Sequence, residues 1–377
     1  MEKEIVLMRK VVAAAMIVSV GVAMSACSHQ RMSQSCPDDA THAVLWSSES
    51  SDAKLQMFRN TELLWEEDIA VKGLQPSRGM ERDGDTLIAV ATGNQRRDES
   101  HIVLFDPQLC KVSTVPIDAR GIFGWAAGEG SVVTMDTVDD VAHVARFSLD
   151  GATVAEARFA KEGTSGVGVS EHDVVLFTDI ASDWHSGDGS PRRFIARRLD
   201  PETLHERWKH EVPVPPFGWQ NPVIVGEYAI FTSAFDEQRN EETRELYRLN
   251  LHTGALEQSE LSAASPYWLT PVPNGDDSTM YIAHTAMNPS VRPLSDYRHV
   301  SVVRLPSMKV ETLQLDRGLA QLSVRGDLMV AFGDHDVDGL HVDAYATGSE
   351  LKPLFQHNLT VPGNMRDAYV SAVVALR

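Results

Sequence analysis

Asp83-Gly84-Asp85-Thr86-Leu87-Ile88-Ala89-Val90 is a tight polar turn running into a short apolar strand, and the chain repeats it five more times. The copies are Gly128-Glu129-Gly130 into Ser131–Thr134, Glu171-His172-Asp173 into Val174–Phe177, and Gly226-Glu227 into Tyr228–Phe231. Gly275-Asp276-Asp277 into Thr279–Ile282 and Arg325-Gly326-Asp327 into Leu328–Ala331 complete the set. The first apolar residues fall at 87, 132, 174, 229, 280 and 328, which is one unit every 42 to 55 residues. Each copy is followed by a second strand that closes on Asp, Asn, Pro or Gly, such as Ile102–Pro107, Ala145–Gly151, Ile195–Pro201 and Leu246–Gly254. A third short strand comes after it, as in Leu204–Lys209. Apolar runs bounded by such residues are strand and turn signals.

Strand units at this period, with no apolar spacing of three and four between them, predict an all-β β-propeller rather than a helical solenoid. Two separate sandwiches would not carry one fixed unit along the whole chain. Six units are complete between about residues 78 and 360. The C-terminus then supplies one strand, Ala368–Leu376, and the N-terminus three, around His42–Trp46, Lys54–Phe58 and Glu62–Trp65. One plus three makes a seventh blade and leaves no long sheet edge open. The expected fold is a seven-bladed propeller in one domain, residues 42–377, closed by strands from both ends of the chain.

The turns Asp106-Pro107, Asp150-Gly151 and His252-Thr253-Gly254, clearest in Leu249–Leu256, resemble the PQQ-type (quinoprotein-dehydrogenase-like) propeller class. The resemblance implies a fold and little about activity. A dehydrogenase of that class would carry adjacent cysteines over its cofactor, and this sequence has no Cys-Cys pair.

Ahead of the repeats stands an address. Arg9 and Lys10 precede a mostly apolar, uncharged run from Val11 to Ala26, too short for a comfortable permanent span but suited to a signal-peptide core. Met24-Ser25-Ala26-Cys27 resembles the lipobox of bacterial lipoproteins, with Met where Leu is preferred. The resemblance implies a signal peptide over 1–26, lipidation (palmitate among the acyl groups) of Cys27 and a flexible tether over 27–41. It implies a cell-membrane protein held by lipid on the extracytoplasmic side. Two cysteines are then left, Cys36 and Cys110, in an oxidising setting where a pair tends to be joined.

Lys and Arg total 34 against 53 Asp and Glu, a formal charge of −19. Removing residues 1–26 takes away three bases and two acids and leaves −20. Such a surface repels phosphate backbones, so nucleic acid is not an expected partner. No HExxH, GxSxG or GxGxxG stands in a suitable context. The leading reading is therefore a non-catalytic binding or protein-assembly module, with a protein or small-molecule ligand on the propeller face. The alternative is a hydrolase- or lyase-type propeller enzyme with an acidic, metal-assisted channel site.

Candidate ligand-face residues are Trp125, Trp219, Tyr267 and Trp268, aromatics ahead of the innermost strands; inter-blade packing is their competing role. Asp334-His335-Asp336-Val337-Asp338-Gly339 is a D-x-D-x-D-G run. Its carboxylates Asp334, Asp336 and Asp338, with the carbonyl of Leu340, form a candidate calcium loop. The twelfth position, Tyr345, is not the glutamate an EF-hand loop needs, and no cofactor is otherwise expected. The long polar hairpins 179–194, 233–245 and 284–299 exceed what a hairpin requires.

Overall fold

The apolar runs singled out by the repeat are buried on both faces, while the strands that end each unit alternate. Thr86–Ala91 and Leu328–Gly333 are buried almost throughout, whereas Thr153–Ala160 and Lys352–Asn358 expose every other side chain or more. That gradient is what radial packing produces: a strand near the axis is sandwiched between neighbouring sheets, and the outermost one meets water.

The computed structural model describes residues 36–74, 79–92, 100–119, 121–180, 193–213, 221–236, 241–271, 279–284, 298–305, 307–334, 338–348 and 350–377. Every regular element among them is a β-strand, in seven four-stranded antiparallel sheets, the blades of a seven-bladed β-propeller within residues 37–377. Strands are numbered along the chain. β1 (His42–Ser47), β2 (Ala53–Arg59) and β3 (Glu62–Ile69) come first. Blade 1 is β4 (Glu81–Asp83), β5 (Thr86–Ala91), β6 (His101–Asp106) and β7 (Lys111–Pro116). Blade 2 is β8 (Gly124–Gly128), β9 (Ser131–Val138), β10 (Val141–Ser148) and β11 (Thr153–Ala160). Blade 3 is β12 (Glu162–Val169), β13 (Val174–Ile180), β14 (Phe194–Leu199) and β15 (Glu206–Val212). Blade 4 is β16 (Val223–Val225), β17 (Tyr228–Asp236), β18 (Glu241–Asn250) and β19 (Leu256–Glu260). Blade 5 is β20 (Pro266–Pro271), β21 (Thr279–His284), β22 (His299–Arg304) and β23 (Lys309–Gln314). Blade 6 is β24 (Gln321–Arg325), β25 (Leu328–Gly333), β26 (His341–Ala346) and β27 (Lys352–Asn358).

Blade 7 joins the chain's two ends. β28 (Tyr369–Ala375) pairs antiparallel with β1, in the order β28-β1-β2-β3, with His42 opposite Ala375 and Leu45 opposite Ala372. The seven-blade count and its closure by N- and C-terminal strands are as the sequence implies.

Two turn chemistries repeat. Between the first and second strands of blades 1, 2, 4 and 6 the loop has two residues, as register pairs Asp83 with Thr86 and Val225 with Tyr228. Gly84 (φ 59°) and Gly226 (φ 55°) supply the left-handed backbone that such a tight hairpin needs. Between the third and fourth strands a side chain does the work. Asp106 Oδ1 accepts the amides of Gln108 and Leu109, Asp200 Oδ1 those of Glu202 and Thr203, and Asn250 Oδ1 those of His252 and Thr253. The recurrent Asp and Asn of the sequence are Asx turns.

Candidate functional site

The first strand of each blade lies at the axis and has one backbone edge with no strand beside it. Those edges need partners, and side chains from neighbouring blades supply them. Glu81 Oε2 accepts the amide of Ala127 at 2.6 Å and Asp83 Oδ2 that of Gly130 at 2.7 Å, tying blade 1 to blade 2. Thr270 donates to the Leu322 carbonyl at 2.9 Å, tying blade 5 to blade 6. On blade 6, Gln321 donates to the Ser371 carbonyl at 3.1 Å and accepts the Val373 amide at 3.2 Å. Ser323 accepts the Ala375 amide at 3.0 Å. Between blades 3 and 4 the backbones approach closely: a Cβ on Gly168 would stand 2.6 Å from the Pro222 carbonyl.

These strands enclose a cavity of about 310 Å³ to which all seven blades contribute. Its lining is apolar on Met80, Ile224, Leu322 and Val373, aromatic on Tyr267 and Trp268, and charged on Glu81 and Arg82. The Trp268 ring reaches from blade 5 to blade 1, where it lies against Gly79; a Cβ there would meet two ring carbons at 2.9 Å. Asn221, just ahead of β16, donates through Nδ2 to Glu81 Oε1 at 2.9 Å and to the Trp125 carbonyl at 2.5 Å. Asn221 and Glu81 thus form a polar crossbar from blade 4 to blade 1. Arg82 leaves β4 on the other side and donates to the Ala375 carbonyl at 3.0 Å, while Arg325 donates to the next carbonyl, Leu376, at 2.7 Å. Burial, with the neighbouring Arg325 charge adding to it, pushes the Arg82 guanidinium down to about 10; Asp85 opposes the shift.

Tyr267 and Trp268 line this cavity, half-buried. Trp125 does not: it is 1% exposed and packs with Ile88, Val132 and Phe147 in the core between blades 1 and 2, so only its carbonyl serves the axis. Trp219 lies outside the described residues, as do Cys27, Asp336 and most of the three long hairpins. In the acidic run, Asp338 Oδ2 accepts the Gly318 amide at 3.1 Å and pairs with Arg298 at 3.4 Å; these partners hold its carboxyl below the usual range. The Leu340 carbonyl accepts the Leu359 amide at 2.9 Å, and Asp334 is exposed. Two of the four candidate calcium-binding groups, Asp338 and the Leu340 carbonyl, are therefore engaged by the protein itself. No cluster of three or more His, Cys, Asp or Glu with metal-holding geometry occurs among the described residues. Cys36 and Cys110 are both disulfide-bonded.

Glu81, Arg82 and Asn221 escape the sequence reading. The signal available was the pair of opposite charges just before a repeat turn, where other units carry apolar residues. In a strand of three residues it does not register as a strand.

No protein-family model matches the chain, and no curated protein matches it by sequence. Solved structures match it by shape. AztD of Citrobacter koseri superposes with a TM-score of 0.51 at 8% identity, over 89% of this chain and 98% of that one. BamB of Moraxella catarrhalis matches with a TM-score of 0.44 at 16% identity, over 91% of this chain and 94% of that one. At these identities the likeness is one of fold.

Proposed function

We propose that the protein is a non-catalytic binding or assembly module, lipid-anchored through Cys27 on the extracytoplasmic side of a membrane, that takes its ligand at the central channel. The observation that carries the reading is the convergence of all seven innermost strands on one cavity with aromatic, apolar and charged walls, the usual makeup of a ligand site. The Glu81 carboxylate, the acid of that lining among the described residues, has both oxygens engaged in inter-blade hydrogen bonds. That disposition supports binding over acid–base chemistry.

A photo-crosslinking side chain placed at Tyr267 tests the reading in native membranes, with one at exposed Val154 on the outer strand β11 as control. Capture of a defined ligand or partner from position 267 and not from 154 is expected. Capture from 154 alone moves the site to the rim. The anchor is tested separately: Cys27→Ala is expected to move the protein from the membrane to the soluble fraction.

A further inference from the structure

The cavity contains one guanidinium whose bonding is incomplete. Arg82 lines it, is partly buried, and donates through Nη2 to the Ala375 carbonyl at 3.0 Å. Its Nη1 is shielded from solvent and has no hydrogen-bond partner. A buried donor left without an acceptor costs free energy, and more when the group is charged. Arg325 stands on the same side, clasping the carbonyl next in sequence, so two positive charges share the end of β28. The carboxylates nearby are spent or solvated: Asp83 on the Gly130 amide, Glu81 toward blade 2, and Asp85, 64% exposed, on Arg325 at 3.3 Å. Successive side chains of a strand leave on opposite faces, so Glu81 and Arg82 divide the cavity into an acidic and a basic side. Two cations held together in a chain of net charge −19 have one chemical complement, an oxyanion.

The rest of the lining says what the oxyanion is attached to. Tyr267 and Trp268, both partly buried, line the cavity, with Val324, Val373 and Val374 completing an apolar wall. About 310 Å³ is at the lower end of small-molecule pockets and excludes a folded segment of polypeptide. Resting on the channel-binding reading, we infer that the cavity selects a small organic anion, a carboxylate or phosphate ester with a flat apolar body. The head lies on Arg82 with Arg325 behind it, and the body on Trp268. Arginine suits either head, because its fork matches carboxylate and phosphate alike.

The test is calorimetric titration of the full-length protein in detergent with phenylacetate, phenyl phosphate, benzyl alcohol and inorganic phosphate. The aromatic anions are expected to bind at least roughly tenfold more tightly than benzyl alcohol, as a charge-assisted hydrogen bond in a desolvated site provides. Phenyl phosphate above phenylacetate assigns an ester head, and the reverse order a carboxylate. Arg82→Gln is expected to abolish the anion preference while benzyl alcohol still binds. Arg82→Lys, which keeps the charge and guards against a folding defect, is expected to keep part of it. Trp268→Ala should weaken anionic and neutral aromatics alike. Equal affinity for anion and alcohol, an unchanged preference in Arg82→Gln, or inorganic phosphate binding as tightly as the aromatics would overturn the inference. If anion and alcohol bind equally and Trp268→Ala removes both, the channel still binds and only the anion selectivity falls. If no probe binds while position 267 still captures a partner, the small-anion inference falls and the channel reading stands. If neither occurs, both fall.

Discussion

Blades 3 and 7 have the same four strands and opposite origins. Blade 3 is one uninterrupted stretch of chain, and it carries a buried charge at its centre. Arg197 on β14, 2% exposed, reaches Glu162 on β12 at 2.7 Å, Thr178 on β13 at 2.6 Å and Glu206 on β15 at 2.9 Å. Its guanidinium also lies 4.5 Å from the Phe159 ring centre of blade 2. One residue thus touches every other strand of its blade. Blade 7 is assembled from segments more than three hundred residues apart, and its buried cation does far less. Lys54 on β2 reaches Asp68 at 2.6 Å and Glu66 at 3.7 Å, both on β3 and both about half exposed. Hydrophobic clusters shared with blades 6 and 1, and hydrogen bonds that join Gln321, Ser323, Arg82 and Arg325 to β28 and Leu376, hold it instead. The difference teaches that a blade contiguous in sequence can be fastened from within, whereas the closing blade is fastened by its neighbours.

The largest expected effect comes from removing the strand that closes the ring. Truncation after Gly363 deletes β28, exposes the edge of β1, and strips Gln321, Ser323, Arg82 and Arg325 of their backbone partners. We expect aggregation or loss of the cooperative unfolding transition. A truncated protein that stays monomeric with an unchanged melting temperature would show that blade 7 is not closed from both ends.

Next is the buried cation of blade 3. Arg197→Met leaves the mostly buried Glu162 with its charge uncompensated, and removal of one member of a buried pair costs up to about 3–5 kcal/mol. Lys54→Met leaves two solvated carboxylates and is expected to cost about 1 kcal/mol or less. Denaturant midpoints for the two variants sharpen the comparison directly. Equal losses would mean that the blades are fastened alike.

These devices were unequally legible. The second strand of each unit could be read from sequence because it sits between blades and is buried on both faces, and the third because it closes on a turn residue. The Asx turns could be read from Asp106, Asp200 and Asn250, because turn chemistry is local. The innermost strands could not be read so easily. β4 is Glu-Arg-Asp and β16 Val-Ile-Val, three residues each, and the edge of an innermost strand can be satisfied from hundreds of positions away, as the Ala375 carbonyl of β28 is by the Arg82 side chain. The site inherits that opacity, since Glu81, Arg82 and Asn221 acquire meaning only once the ring is closed. Trp125 teaches the converse, because an aromatic at the right repeat position can point into an inter-blade core.

Cys36 stands six residues ahead of β1 in the chain, and Cys110 in the turn between β6 and β7. A bridge between them closes a loop of about 74 residues, and cross-links of this kind stabilise by roughly 2–4 kcal/mol, chiefly through the unfolded chain on the entropic account. Replacing both by Ser is expected to lower the denaturant midpoint accordingly, with the slope of the transition as the control. Non-reducing peptide mapping of the exported protein is expected to recover the two as one linked species. Free thiols at both positions would remove this fastening from the closing blade.

The most local effect lies at the seam between blades 6 and 7. His42 on β1 is fully buried, stacked on Phe58 at 5.2 Å and on Phe355 of β27 at 5.4 Å between ring centres, with the His357 ring edge-on at a centre-to-centre 6.3 Å. Its Nδ1 meets the Thr41 hydroxyl at 3.1 Å, and its Nε2 has no partner. Burial, then repulsion from His357, lowers its pKa from 6.5 to about 3. The neutral ring is therefore the native form, and only the unfolded chain takes up the proton between those values. Stability from this residue is fully present above pH 6.5 and is lost progressively as pH falls toward 3, at about 1.4 kcal/mol per unit. By pH 5 the loss is about 2 kcal/mol. His284 in blade 5, lowered to about 4 chiefly by burial, adds a loss of the same sign. The experiment is denaturant unfolding at pH 8 and pH 5 for the wild type and for His42→Phe, which keeps a ring between Phe58 and Phe355 and cannot titrate. The variant's stability should fall less over that interval, by about 2 kcal/mol, whatever its absolute value. If the two proteins lose stability equally, the proton enters elsewhere, and the blade 6–7 seam is no more acid-sensitive than the interior of blade 3.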